Sequence, residues 1–105
     1  MYSRVTLLEI DTMRVDVPDA VARFEEHAMP LLREQEGFEG AVVLANAEGK
    51  GMVVTLWASQ EALEASAGLA AALVEEFVTV YAAPPGRESY EVLYADVPDV
   101  VVSTR

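Results

Sequence analysis

The stretch from Phe38 to Ser66, "FEGAVVLANAEGKGMVVTLWASQEALEAS", decides the fold. Two apolar, β-branched runs, Phe38 to Ala45 and Gly51 to Trp57, flank "NAEGK", in which Asn46 and Gly49 supply hairpin chemistry. The runs are expected to pair as antiparallel strands. Ser59 then serves as a helix N-cap with Glu61 in the first turn, so the second run leads straight into a helix. "AVVLA" and "MVVTLW" present apolar side chains to both faces, Thr55 being the main exception. Sheets buried on both sides have this pattern.

Toward the N-terminus, Tyr2 to Ile10 is rich in Val, Thr, Leu and Ile and is expected to form a first strand. Asp16 can cap a helix starting near Val17, with Pro18 in the first turn, where no amide donor is needed, and Asp19 favouring the helix dipole. Val21, Phe24, Ala28, Leu31 and Leu32 recur at helical spacing and make one core-facing stripe. Pro30 cannot donate to the carbonyl of Glu26, so the helix should kink or break there and then end with Gly37 as its C-terminal cap.

Toward the C-terminus the second helix should run through "QEALEASAGLAAALVEEFVTVY", interrupted at Gly68, with Leu69, Leu73, Phe77 and Tyr81 as its stripe. "APPG" ends it. Ser89 to Ala95, "SYEVLYA", is expected to be the fourth strand. The order is β-α-β-β-α-β, an α+β ferredoxin-like arrangement with two helices on one face of a four-stranded antiparallel sheet. The domain spans residues 1–95, and 96–105 form a tail, polar apart from Val100 to Val102. The strands' apolar second face calls for another sheet, and the economical partner is an identical subunit on a two-fold axis. "VVV" could extend such a homodimer by pairing with an edge strand of the mate.

At 105 residues the chain has room for one core, and a hydrophobic content of 52% is high for so small a domain, which also favours a partner surface. Seven Lys+Arg against 18 Asp+Glu leave a formal net charge of −11, which makes nucleic acid and anionic membrane poor partners. No run approaches the roughly 20 apolar residues of a membrane span, and "MYSRVTLLEID" lacks signal-peptide character, so the expected location is cytoplasmic. The absence of cysteine removes disulfides, thiolate metal sites and thiol nucleophiles together. Asp and Glu recur in no metal-ligand spacing, and no phosphate loop is present.

A first helix ending in "PLLREQEGFEGAVVL", a hairpin, then "VVTLWASQEALEAS" and a closing "SYEVLYA" resemble the antibiotic biosynthesis monooxygenase family of the dimeric α+β barrel superfamily, from about Arg4 to Ala95. The most specific pieces are the Gly-Phe after the first helix and Leu-Trp-x-Ser-x-Glu-Ala-Leu at the strand-to-helix junction. The resemblance implies a cleft between helices and sheet that takes a flat aromatic substrate. It also implies oxidation of quinols or anthrones without metal or flavin, so no cofactor is expected. Activity does not follow from the fold, which hosts unrelated chemistries. The competing expectation is a non-catalytic small-ligand binder or structural homodimer; isomerase or cyclase chemistry is a third.

Within that frame Trp57, the only tryptophan, is either a cleft wall that stacks on the ligand and donates its indole N–H, or a wedge between strand and helix. His27, the only histidine, is the candidate base, with an ordinary exposed helix position as the alternative. Phe24, Phe77, Tyr81 and Tyr94 are candidate substrate-binding residues; Tyr90 and Glu9 are weaker ones. The tyrosines serve equally well as packing residues. One branch of the resembled family degrades haem with an Asn on the first strand, a Trp on the third and a His on the second helix. Trp57 matches, but the only Asn is Asn46 in the hairpin loop and the second helix holds no His, which disfavours haem.

Overall fold

A computed structural model of the chain describes residues 1–77, 86–98 and 101–102. The elements run β1 (Tyr2–Glu9), α1 (Val17–Arg23), a π-helical turn (Phe24–Ala28), α2 (Met29–Arg33), β2 (Phe38–Ala45), β3 (Lys50–Trp57), α3 (Gln60–Ala65), α4 (Ala67–Glu76) and β4 (Gly86–Glu91). The sheet order is β2-β3-β1-β4 and every pairing is antiparallel. This is the α+β ferredoxin-like architecture expected from the order of elements.

Local chemistry sets most of the boundaries. Asp16 caps α1, its carboxylate accepting from the Asp19 amide at 2.8 Å, and Ser59 caps α3, its hydroxyl accepting from the Ala62 amide at 3.1 Å. In the hairpin, the Asn46 side-chain oxygen accepts from the amides of Glu48 and Lys50 (3.0 and 3.1 Å), while Gly49 takes φ +91°. The Gly49 carbonyl also accepts from the Ile10 amide at 2.8 Å, which ties the hairpin to the end of β1.

Pro30 interrupts the first helix as expected, and the interruption takes the form of the π-helical turn. The Met29 amide donates to the carbonyl of Phe24, five residues back, so the extra residue is absorbed just before the ring that has no amide donor. Gly37, at φ +80°, then reverses the chain; a Cβ there would stand 2.5 Å from that of Ala62, so the turn is pressed against the first turn of α3.

Three expectations are corrected. The first helix ends at Arg33 with Glu34 as its C-cap, so Gly37, three residues further on, turns the chain toward β2 and is not the helix cap. The second helix breaks at Ser66, between α3 and α4, and not at Gly68. The Ser66 hydroxyl donates to the carbonyl of Leu63 at 2.7 Å, and the same carbonyl accepts from the Arg4 guanidinium at 2.9 Å, which draws it away from the helical ladder. The fourth strand spans Gly86–Glu91 in place of Ser89 to Ala95. It pairs with β1 with Glu91 opposite Tyr2, and the Val92 amide still donates to the carbonyl of Met1 at 2.9 Å, where the ladder runs out of partners. Residues 93–98 are exposed and outside the sheet.

Register sorts the side chains onto two faces. Tyr2, Arg4, Thr6 and Leu8 of β1, with Val53, Thr55 and Trp57 of β3 and Val43 of β2, face the helices. The core lies there, built from Ile10, Ala20, Ala28, Leu32, Trp57, Leu63, Leu73 and Phe77. The opposite face carries Val5, Leu7, Val42, Leu44, Met52, Val54 and Leu56 and is covered by no helix of the described residues. Leu7 is 51% exposed and Leu44 50%, so in the single chain this apolar face meets water.

Candidate functional site

Between the helices and the sheet lie two small cavities that share Phe24, Val53 and Phe77. One, of about 40 Å³, has walls of aliphatic and aromatic side chains, among them Leu8, Ile10, Val21 and Val43. The other, of about 60 Å³, has a similar apolar side formed by Leu32, Leu73 and Val74, but its far end is polar, with Arg4, Thr6, Thr55 and Ser66. Apolar enclosure with a few converging polar groups is the usual make-up of a small-molecule site.

The elements that place these groups are the ones the sequence specifies locally. Phe24 opens the π-helical turn, and Phe77 closes α4, its amide donating to the carbonyl of Leu73. The two rings therefore come from the two helical segments and line the same two cavities beside Val53 of β3. Turns of π type occur often at functional sites, because the extra residue re-aims a side chain.

Arg4 is the charged member of the site. Its Nη1 donates to the Ser66 hydroxyl at 2.7 Å and its Nη2 to the Leu63 carbonyl at 2.9 Å, at the C-terminal end of α3, where a cation is favoured. Burial, and then the positive charge of Arg87, hold its pKa below the usual arginine value. Arg87 stands opposite Thr6 on β4, hence on the same face of the sheet. Sequence analysis passed over Arg4. Its signal was the period of two along the first strand, which places position 4 with Tyr2, Thr6 and Leu8 on the inward side.

Trp57 is fully buried and forms no part of either cavity wall. Its ring meets Phe38 edge-on, with centroids 5.4 Å apart at 70°, and its indole N–H donates to the Thr55 hydroxyl at 3.0 Å. Thr55 does line the larger cavity, so Trp57 stands one residue behind the wall and touches the site through that hydroxyl. The wedge alternative describes its contacts.

The other candidates are dispersed. Phe24 and Phe77 are brought together. His27 is exposed on the π-helical turn and absent from both cavity walls, so as placed its imidazole does not reach the cleft. Tyr94 is 85% exposed beyond the end of β4. Tyr90 flanks an outer groove with Arg4, Tyr2 and Gln60, and Glu9 is exposed at the end of β1. Tyr81 lies outside the described residues. Among the described residues no group of three His, Asp or Glu side chains is placed to hold a metal ion, and no helix is long and apolar enough to cross a membrane.

Solved structures share this architecture. A protein of unknown function from Nitrosomonas europaea is 25% identical, with 94% of this chain and 95% of that chain covered and a TM-score of 0.71. A monooxygenase from Streptomyces coelicolor, ActVA-Orf6, solved with nanaomycin D, is 20% identical over 93% of this chain and 92% of its own, at a TM-score of 0.67. The heme-degrader MhuD of Mycobacterium tuberculosis, solved with two hemes in its active site, is 24% identical over 93% of this chain and 100% of its own, at a TM-score of 0.66. These last two likenesses show the fold alone. No curated protein matches the chain. The family model for antibiotic biosynthesis monooxygenase matches residues 16–72, which include α1, the π-helical turn with Phe24, the hairpin and the Trp57 junction. With more than half of its length matched, the chain belongs to the antibiotic biosynthesis monooxygenase family.

Proposed function

We propose that the protein is a cofactor-independent monooxygenase acting on a small aromatic substrate of the quinol or anthrone type, held in the cleft between the helices and the sheet. The observation that supports this most is the apolar cleft itself, closed by Phe24 and Phe77 and ending in polar groups on one side only. Family membership and the fold shared with a monooxygenase solved with nanaomycin D agree with it.

For an anthrone the balanced reaction consumes one dioxygen: the methylene carbon becomes a carbonyl, one oxygen atom stays in the product and the other leaves as water. The electrons come from the substrate after it loses a proton, so the protein's work is enclosure, orientation and stabilisation of the anion. Phe24 and Phe77 supply the enclosure. At about 40 and 60 Å³ the two lobes are well below the several hundred Å³ that ligand sites usually offer, so the rings must turn aside to join the lobes when a substrate enters. Thr55, held by Trp57, and Ser66, held against Leu63, keep hydroxyls at the polar end.

The working unit in this proposal is a homodimer in which the apolar sheet face, with Leu7, Val42, Leu44, Met52 and Val54, packs on its symmetry mate. Val101 and Val102, each 91% exposed, would add to that contact.

The test is oxygen uptake with anthrone and with a naphthoquinol, measured above the protein-free rate and repeated with chelator. Saturable uptake that falls in Phe24→Trp, which fills the cleft, supports the proposal. Uptake lost in His27→Ala would return the imidazole to the role of base; the exposed position of His27 predicts no loss. Binding of the aromatic without uptake would favour the second function, a ligand-binding homodimer.

A further inference from the structure

In a chain with seven basic and 18 acidic residues, one half-buried arginine lines the cleft with no carboxylate paired to it among the described residues. An ion pair among the described residues joins Arg14 to Asp11 at 3.2 Å and does not involve Arg4. Arg4 spends two of its five N–H groups, on Ser66 and on the Leu63 carbonyl, both neutral acceptors. Arg4 lines the polar end of the 60 Å³ cavity, whose wall contains no acidic residue, and it also lines the outer groove. Glu64 of α3 and Glu91 of β4 border the outer groove, which Arg4 also lines, and neither forms an ion pair with it.

A second cation adds to the imbalance. Arg87 of β4 stands opposite Thr6, one inward position along from Arg4, and its charge acts directly on the Arg4 guanidinium. Two cations on one face, one of them partly buried and neither ion-paired among the described residues, repel each other. Removing a charge from water without a partner is costly, and a bound anion between the two would relieve both costs.

We infer that Arg4, backed by Arg87, is an anion-binding residue of the cleft, and that the ligand is an aromatic acid whose ionised oxygen, a carboxylate or a phenolate, sits at the polar end with its ring between Phe24 and Phe77. The inference rests on the cleft being a ligand site but not on oxygen chemistry. The anchoring of the guanidinium by Ser66 and Leu63 fixes its plane before the ligand arrives, which suits two-point recognition of a planar oxyanion. If the substrate is a quinol, the same contact favours its ionised form, the one that can pass an electron to dioxygen.

The experiment is a calorimetric titration of the intact protein with 2-naphthoate and with its neutral isostere naphthalene-2-carboxamide, at low and high salt. The inference expects 2-naphthoate to bind about tenfold tighter or more than the carboxamide, with the difference shrinking as salt rises. Arg4→Met should erase the preference. Because Arg4 also anchors α3, Arg87→Glu serves as the fold-neutral variant: it is exposed, and placing a negative charge there should cut naphthoate affinity while leaving carboxamide affinity unchanged. Equal binding of the two probes, or a preference that survives in both variants, would overturn the inference and leave the cleft a ligand site. Binding of neither probe would overturn the inference and the ligand-site proposal together.

Discussion

Replacing Trp57 separates its packing from its hydrogen bond. The side chain is wholly buried, meets Phe38 edge-on and donates to the Thr55 hydroxyl, which is itself 8% exposed. Trp57→Ala removes the largest fully buried side chain and leaves a void that β2, β3 and α3 cannot easily fill, at a cost of about 3 to 5 kcal/mol. For a domain of this size that is a fall in Tm of roughly 15 to 25 °C. Trp57→Phe keeps most of the packing but orphans the Thr55 hydroxyl, and should cost about 1 to 3 kcal/mol. Thr55→Val should cost about 1 kcal/mol, and the double variant Trp57→Phe/Thr55→Val should cost less than the sum by about 1 kcal/mol, since one hydrogen bond is lost in all three. Urea unfolding followed by circular dichroism, at one protein concentration throughout, reads all four proteins. A loss under about 1 kcal/mol in Trp57→Ala would refute the wedge. Additivity in the cycle would refute the indole–threonine bond as a source of stability.

Other expectations follow from single contacts. Gly49→Ala should destabilise by about 2 kcal/mol or more, because a Cβ would stand 2.5 Å from the Ile10 carbonyl in a φ +91° turn; a thermal melt reads it. Leu44→Asp should leave the fold intact and yield monomers by sedimentation velocity, since Leu44 is half exposed in the single chain and only a partner sheet would bury it. Pro30→Ala restores a backbone donor, so the π-helical turn should relax toward regular helix and shift the Phe24 ring resonances in NMR spectra.

What was legible in the sequence was what short-range chemistry decides. Asp16, Ser59 and Asn46 act within four residues of themselves, and each does in the structure what its type and position imply. Pro30 announced an interruption, though not that a π-turn would absorb it. The break in the second helix was misplaced because its cause is Arg4, brought from a distant strand to the Leu63 carbonyl, while Gly68, the residue with intrinsic breaking tendency, meets open space. The fourth strand was misplaced for a related reason. Its end is set by where β1 stops offering partners, and no property of "SYEVLYA" encodes that. For the site, helical spacing picked out Phe24 and Phe77, whereas His27 and Trp57 were singled out by residue type. Chemical versatility does not say which way a side chain points, and the inward Arg4 was found only through the register of the sheet.

The central claim is that the enclosed cleft carries out cofactor-independent oxygenation. Its most direct test is mass spectrometry of the product formed from anthrone under ¹⁸O₂ in chelator-treated buffer, corrected for the protein-free reaction. The account predicts one ¹⁸O atom per product molecule at a rate above the blank, and loss of that excess when Phe24→Trp fills the cleft. An excess rate unaffected by filling the cleft, or product labelled from H₂¹⁸O in place of ¹⁸O₂, would contradict it.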